Sequence, residues 1–188
     1  MISNFTGFCE IIHLENEKTA DFVRTFLNDL NTAYSSTLDY SEYVTEDDLI
    51  ASKGYLELDK DDQRSVLNIY NLYQTSKEVK QIYNNGSVGF DWSYEGVLKT
   101  PCYGKYTLKI FSNDIEGDAD VESLFLFLKY LWKSTGRTDS IVVCYSLHCT
   151  RAIVGDFGGG AILVGKDFAE IISISDIAEK RITDLTKS

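Results

Sequence analysis

Between Asp139 and Lys166 the chain reads DSIVVCYSLHCTRAIVGDFGGGAILVGK, and Cys144, His148, Cys149, Arg151 and Asp156 all fall in it. Thiolates and imidazoles together can ligate zinc or form a nucleophile–base pair. In an extended strand, however, Cys144 and His148 share one face while Cys149 points to the other, so the three converge only through a bulge. The other histidine is His13, and a four-ligand set would be Cys9, His13, Cys144 and His148, which lacks the paired C-x-x-C spacing of a strong zinc site. Cys149 and His148, as neighbours in a strand, are excluded as an easy nucleophile and base. A cysteine- or metal-dependent enzyme is therefore the third reading of this chain. No metal site, cofactor or catalytic residue is assigned.

Gly160–Lys166, GAILVGK, has the literal G-x-x-x-x-G-K spacing of a phosphate loop. Its four intervening residues favour a strand, and Asp167 stands where a Ser or Thr would hold magnesium, so the context fails. Asp156-Phe157-Gly158 matches the kinase metal-binding tripeptide, but no catalytic loop or glycine-rich nucleotide loop accompanies it. The run from Gly155 to Gly160 is more open. Four glycines in six residues permit positive φ and close backbone approach. With Arg151 and Asp156, the residues Gly158, Gly159 and Gly160 could cradle a small molecule or nucleotide, which is the second reading. A bent hairpin or bulge is the favoured account of the glycines themselves.

Carboxylates come in pairs, Asp47 with Asp48, Asp61 with Asp62 and Asp118 with Asp120. Each pair sits at a helix-start signal, where capping and the helix dipole explain acidic residues without catalysis. Their sum matters more. The 188-residue chain carries a net charge of −11. Such a field opposes a phosphate backbone and an anionic membrane surface, and favours a basic protein face. Tyr34, Tyr40, Tyr43 and Tyr55 lie in or beside the acidic middle segment, and tyrosine is enriched at interfaces.

The elements that must position these residues follow from periodicity. GFCEIIHL (7–14) has strand composition. Asn16 can cap a helix whose apolar face is Phe22, Val23, Phe26, Leu27, Leu30 and Tyr34, leaving Asp21, Arg24, Asn28 and Asp29 opposite. Thr45 and Asp48 have capping-box spacing, Val44 and Leu49 could form a hydrophobic staple, and Gly54 is placed to stop that turn. YLELD (55–59) suggests an edge strand, and Asp59–Asn84 a second helix ended by Asn85-Gly86. VGFDWSYEGVL and KYTLKIFS alternate with period two and suggest a hairpin. Asp118 can cap a helix from Val121 to Trp132 that is apolar over most of its circumference and ends at Gly136. Ile141–Cys149, AILVG and AEIISI read as strands, and Ser175 opens a short C-terminal helix.

This order predicts one α+β domain over 1–188, with a mostly antiparallel sheet, helices on one face and a helical insertion at about 35–85. The core is compatible with a ferredoxin-like β-α-β-β-α-β arrangement. The N-terminus lacks a basic signal region, and no apolar run reaches the roughly 20 residues that cross a bilayer. The widely spaced cysteines Cys9, Cys102, Cys144 and Cys149 suit reduced thiols in the core of a soluble, cytoplasmic protein. The first functional reading is thus a non-enzymatic, acidic inhibitor of a basic or nucleic-acid-binding protein, of the immunity-protein or phage and mobile-element type. Its contacts are assigned to Asp47, Asp48, Asp61, Asp62, Tyr40, Tyr43 and Tyr55.

Overall fold

A computed structural model describes residues 4–86, 88, 90–95, 106–112, 120–149 and 158–186, with the backbone alone at 4–6, 93–95, 147–149, 181–182 and 184–186. Strands β1 (Asn4–Gly7) and β2 (Cys9–Leu14) lead into helix α1 (Glu17–Ser35). After a 3-10 turn at Tyr40–Glu42 come α2 (Glu46–Ile50), α3 (Lys53–Leu56), α4 (Lys60–Thr75) and α5 (Lys77–Asn84). Then follow β3 (Asp91–Glu95), β4 (Tyr106–Phe111), α6 (Val121–Thr135), β5 (Ile141–Cys149), β6 (Gly158–Val164), β7 (Ala169–Ser173) and α7 (Ile174–Thr186). Mixed helices and antiparallel sheets make the architecture α+β.

The expected single sheet is two. One runs β1-β5-β6-β7 and the other β2-β4-β3, every pair antiparallel. The N-terminal segment serves both, changing partners at Phe8. Gly7 pairs with Ser146 of β5, whereas Cys9 pairs with Phe111 of β4. Phe8 itself donates to Ser112 Oγ at 3.1 Å and accepts from the Ser112 amide at 3.0 Å. The β3–β4 pair is the expected hairpin. The pairing order is compatible with a β-α-β-β-α-β core, with β6 and β7 added beyond β5.

One face of the strands carries the core. Ile12 and Leu14 of β2, Leu108 and Ile110 of β4, Val143 of β5, and Ile162 and Val164 of β6 are buried. Cys9, His13, Val142 and Cys144 are exposed. The Asn16 carboxamide caps α1 by accepting from the Thr19 amide at 2.9 Å, so the expected cap is present. Phe26 of α1 meets Tyr130 of α6 at a 4.9 Å ring separation, and Phe127 of α6 meets Phe90 at 5.0 Å. Gly136 ends α6 with φ 66°, a left-handed cap that glycine adopts without a Cβ clash.

Several local expectations change. The second long helix is two, because Ser76 leaves helical geometry (φ −120°, ψ 120°) and its hydroxyl accepts from the Val79 amide to start α5. YLELD is helix and turn, not strand, and Gly54 lies inside α3, where a Cβ would stand 2.7 Å from Leu38 Cδ2. The capping box of Thr45 and Asp48 forms, but the staple does not: Val44 is 85% exposed while Leu49 is fully buried. Asp120 caps α6, and Asp118 lies outside the described residues. Asp29 is buried, not on a polar face, because α4 packs against that side of α1. Its carboxylate accepts from Ser65 Oγ at 2.6 Å and Asn68 Nδ2 at 3.0 Å. No helix among the described residues is long and apolar enough to cross a membrane.

Candidate functional site

The chemistry-bearing residues of the C-terminal third do not assemble into a site among the described residues. Cys144 is exposed on the open side of β5. The backbones of His148 and Cys149 pair with Phe5 and Asn4, while their side chains lie outside the described residues, as do Arg151, Asp156 and Cys102. Cys9 and His13 belong to β2, whose partner is β4, so it is β1 and not their strand that adjoins β5. Cys9 and Cys144 are surface thiols rather than the core residues expected. No group of three His, Cys, Asp or Glu side chains able to hold a metal occurs among the described residues.

Gly158, Gly159 and Gly160 are strand residues of β6, paired with Leu147, Ser146 and Tyr145. The space above Gly160 is taken, since a Cβ there would stand 2.6 Å from the Tyr145 hydroxyl and 2.1 Å from the Ile172 carbonyl oxygen. Gly159 and Gly160 thus serve close packing against the Tyr145 backbone, its ring and the Ile172 carbonyl. Ala161–Val164 likewise continue β6, so the phosphate-loop spacing is coincidental.

The tyrosines of the middle segment require a correction. Tyr40 is 1% exposed and Tyr55 is 7% exposed, so neither offers a contact surface; Tyr43 is half-buried. Tyr40 stacks on Tyr83 with ring centres 4.1 Å apart, and meets Tyr70 and Tyr73 edge-on at 5.5 and 5.6 Å. Four hydroxyls of this region reach backbone acceptors. Tyr40 donates to the Val66 carbonyl at 2.9 Å, Tyr34 to that of Ile82 at 2.9 Å, Tyr70 to that of Tyr43 at 3.1 Å, and Tyr83 to that of Leu38. A buried tyrosine is tolerated when its hydroxyl is bonded in this way. The tyrosine excess therefore builds the core of the helical region.

Burial raises the hydroxyl pKa of Tyr34 and Tyr40, and burial followed by the nearby Asp39 carboxylate pushes Tyr83 up to about 12. The ring stays neutral longer in the folded chain, so this stabilisation is complete below the ordinary value of 10.0 and is lost as pH rises from there towards 12. An alkaline titration should show tyrosinate absorbance from these rings only as the circular dichroism of the fold is lost. Full tyrosinate formation in a still-folded chain would contradict the buried cluster.

The exposed side of the same segment is the candidate site. Residues 39–62 contain nine acidic side chains (Asp39, Glu42, Glu46, Asp47, Asp48, Glu57, Asp59, Asp61 and Asp62) against Lys53 and Lys60, a net −7 of the chain's −11. Asp47 and Asp48 are exposed at the start of α2, with Asp48 accepting from the Thr45 amide at 2.9 Å. Asp61 is exposed on α4 and pairs loosely with Arg64 at 3.4 Å, whereas Asp62 is half-buried. Asp59 caps α4, accepting from the amides of both Asp61 and Asp62 at 2.9 Å. Capping thus uses Asp48 and Asp59, and leaves Asp47 and most of Asp61 to solvent.

Three apolar side chains within this acidic segment lie at the surface, where periodicity does not place them. Val44 is 85% exposed, Leu56 62% and Ile50 36%. Their signal is a position outside the buried phase of Leu49 and Tyr55, which the staple expected at Val44 and the strand expected over YLELD obscure. Apolar side chains surrounded by like charge describe an interface composition, with anchors that desolvate and a rim that steers. Comparison of the chain with protein-family models, curated proteins and solved structures finds no match, so the functional reading rests on this surface.

Proposed function

We propose that this protein is a non-enzymatic interaction module that binds and blocks a basic protein partner through the face formed by residues 39–62. The observation that carries the reading is the coincidence, in one segment, of net charge −7 with the exposed side chains Val44, Ile50 and Leu56. Acidic side chains raise the encounter rate with a basic surface, and apolar anchors supply residence time. A partner that uses its basic face to hold nucleic acid would be inhibited by occupation of that face, the mode of an immunity protein or a phage or mobile-element antagonist. Exposed thiols at Cys9 and Cys144 suit a reducing, cytoplasmic setting.

Affinity capture from the native cell, run in parallel with variants, tests this. Alanine at Asp47, Asp48, Asp61 and Asp62 should slow association and flatten its salt dependence. Val44→Ser with Leu56→Ser should weaken the complex by about tenfold or more, the scale of one lost anchor. Capture of the same partner, unchanged by both sets and by salt, would sink the proposal.

A further inference from the structure

Where the end of α6 meets the turn between β6 and β7 there is a cavity of about 490 Å³. Its lining includes Lys129, Lys133, Arg137 and Lys166 against one carboxylate, Asp167. That inverts the average surface of a chain with 29 acidic and 18 basic side chains. Two more carboxylates stand behind the cations. Glu78 lies 3.3 Å from Lys129 and 3.9 Å from Lys133, and Asp139 pairs with Arg137. Burial opposes ionisation of Glu78, but backbone hydrogen bonding and the two lysines outweigh it and hold its carboxyl below the usual range. Four cations against three carboxylates still leave the pocket positive.

The cations differ in how far they are committed. Arg137 is 5% exposed and donates to Asp139 and to the His13 carbonyl, so it is an anchor that contributes field. The Lys133 side chain is 73% exposed and its contact with Glu78 is long. Lys166 is exposed and forms no ion pair among the described residues. Beside them stands Phe168, 52% exposed. Its carbonyl accepts from the Gly165 amide at 2.9 Å, and its ring lies so close to that glycine that a Cβ would stand 2.5 Å away. The turn therefore holds an exposed aromatic ring in the same lining as Lys166, which has no ion pair among the described residues, and Lys133, whose pair with Glu78 is long.

We infer that this cavity binds a small phosphate-bearing molecule with a planar ring, of mononucleotide size. Lysine ammonium groups meet phosphate as point charges, and an aromatic face stacks on any base. Cavities of roughly 300–1,000 Å³ take ligands of this size. A polynucleotide is disfavoured because the rest of the surface repels a phosphate backbone. The inference is independent of the acidic face; it shares Lys166 with the failed phosphate-loop spacing but uses it from the β6–β7 turn together with α6, not from a loop that opens a helix.

Calorimetric titration of the full chain with AMP, with inorganic pyrophosphate and with sodium sulfate, at matched ionic strength, tests it. Saturable binding of AMP is expected, weakened about tenfold by Lys133→Glu with Lys166→Glu, on the scale of a lost charge-assisted contact. Both lysines are exposed, so the variant should keep its circular dichroism and melting temperature; Lys166→Gln alone gives a milder reading of the same loss. Phe168→Ala should weaken AMP and leave pyrophosphate unchanged, and alanine at the four aspartates of the acidic face should alter neither. Absence of saturable AMP binding, equal binding of sulfate, or indifference to the lysine or Phe168 variants would overturn the inference.

Discussion

Tyr40→Ala is expected to cost about 3–5 kcal/mol of folding stability, the range for truncating a large buried aromatic side chain. Its ring is 1% exposed and packs on Tyr83, Tyr70 and Tyr73 at once, so the void would be lined by rings of which Tyr83 and Tyr70 are held by their own hydroxyl bonds, and it would be slow to collapse. Tyr40→Phe keeps the stacking and removes only the bond to the Val66 carbonyl, and should cost about 1 kcal/mol. Urea unfolding of the two variants measures both numbers. A Tyr40→Ala chain within 1 kcal/mol of the parent, on the order of a surface substitution, would return Tyr40 to the surface and to a contact role. The contrast matters for function. Loss of partner binding in a Tyr40 variant would report a collapsed helical region, whereas Val44 and Leu56 can be changed without touching the core.

Gly160→Val is the second substitution of large effect, with an expected loss of about 3 kcal/mol or more, at or above the usual range for overpacking. A flexible neighbour could yield, but one obstacle is the Ile172 carbonyl in the backbone of β7, 2.1 Å from the added carbon. Relief requires β7 to leave β6, and with it α7, which follows directly from Ser173. Hydrogen exchange should show amides of β6 and β7 losing protection while the tyrosine cluster keeps its own. Uniform protection in the variant would contradict the close approach. Gly159 is held at φ 156°, so Gly159→Val also damages the sheet and cannot serve as a clean probe of ligand binding at the glycine run.

What the sequence made legible was local chemistry. Asn16, the Thr45–Asp48 box and Gly136 cap helices where the residue types predict, because a cap is satisfied within one turn of its own chain. The hairpin of β3 and β4 was readable from its alternation for the same reason. What was not legible depends on partners distant in sequence. Asp29 is polar by type, yet Ser65 and Asn68 arrive from α4 to satisfy it, so a position resembling surface is buried. Tyrosine carries the reverse ambiguity: composition cannot say whether its hydroxyl will meet water or the Val66 carbonyl. The candidate face was half readable. Its charge follows from counting Asp and Glu, but the exposure of Val44 and Leu56 depends on helix boundaries that alternation alone misplaced. The basic cavity was not readable, because Lys129, Lys133, Arg137 and Lys166 meet only once α6 and the β6–β7 turn are folded together.

The change of partners at Phe8 carries a kinetic consequence. The segment from Asn4 to Leu14 is bonded to residues 104 positions away at Ser112 and 139 positions away at Ser146. Non-local pairing of this kind slows folding, because loop-closure entropy must be overcome before the contact is gained. The helices from Glu17 to Asn84 share the tyrosine cluster and can condense early around its rings, with α6 docking later on α1 and α5. During synthesis the N-terminal strands emerge first and have nothing to pair with until β4 and then β5 follow. Their Ile11, Ile12 and Leu14 side chains remain an unpaired, apolar edge through that interval, which is the condition under which nascent strands aggregate. Strand β1, made before α1, is thus secured only after α6 has been made.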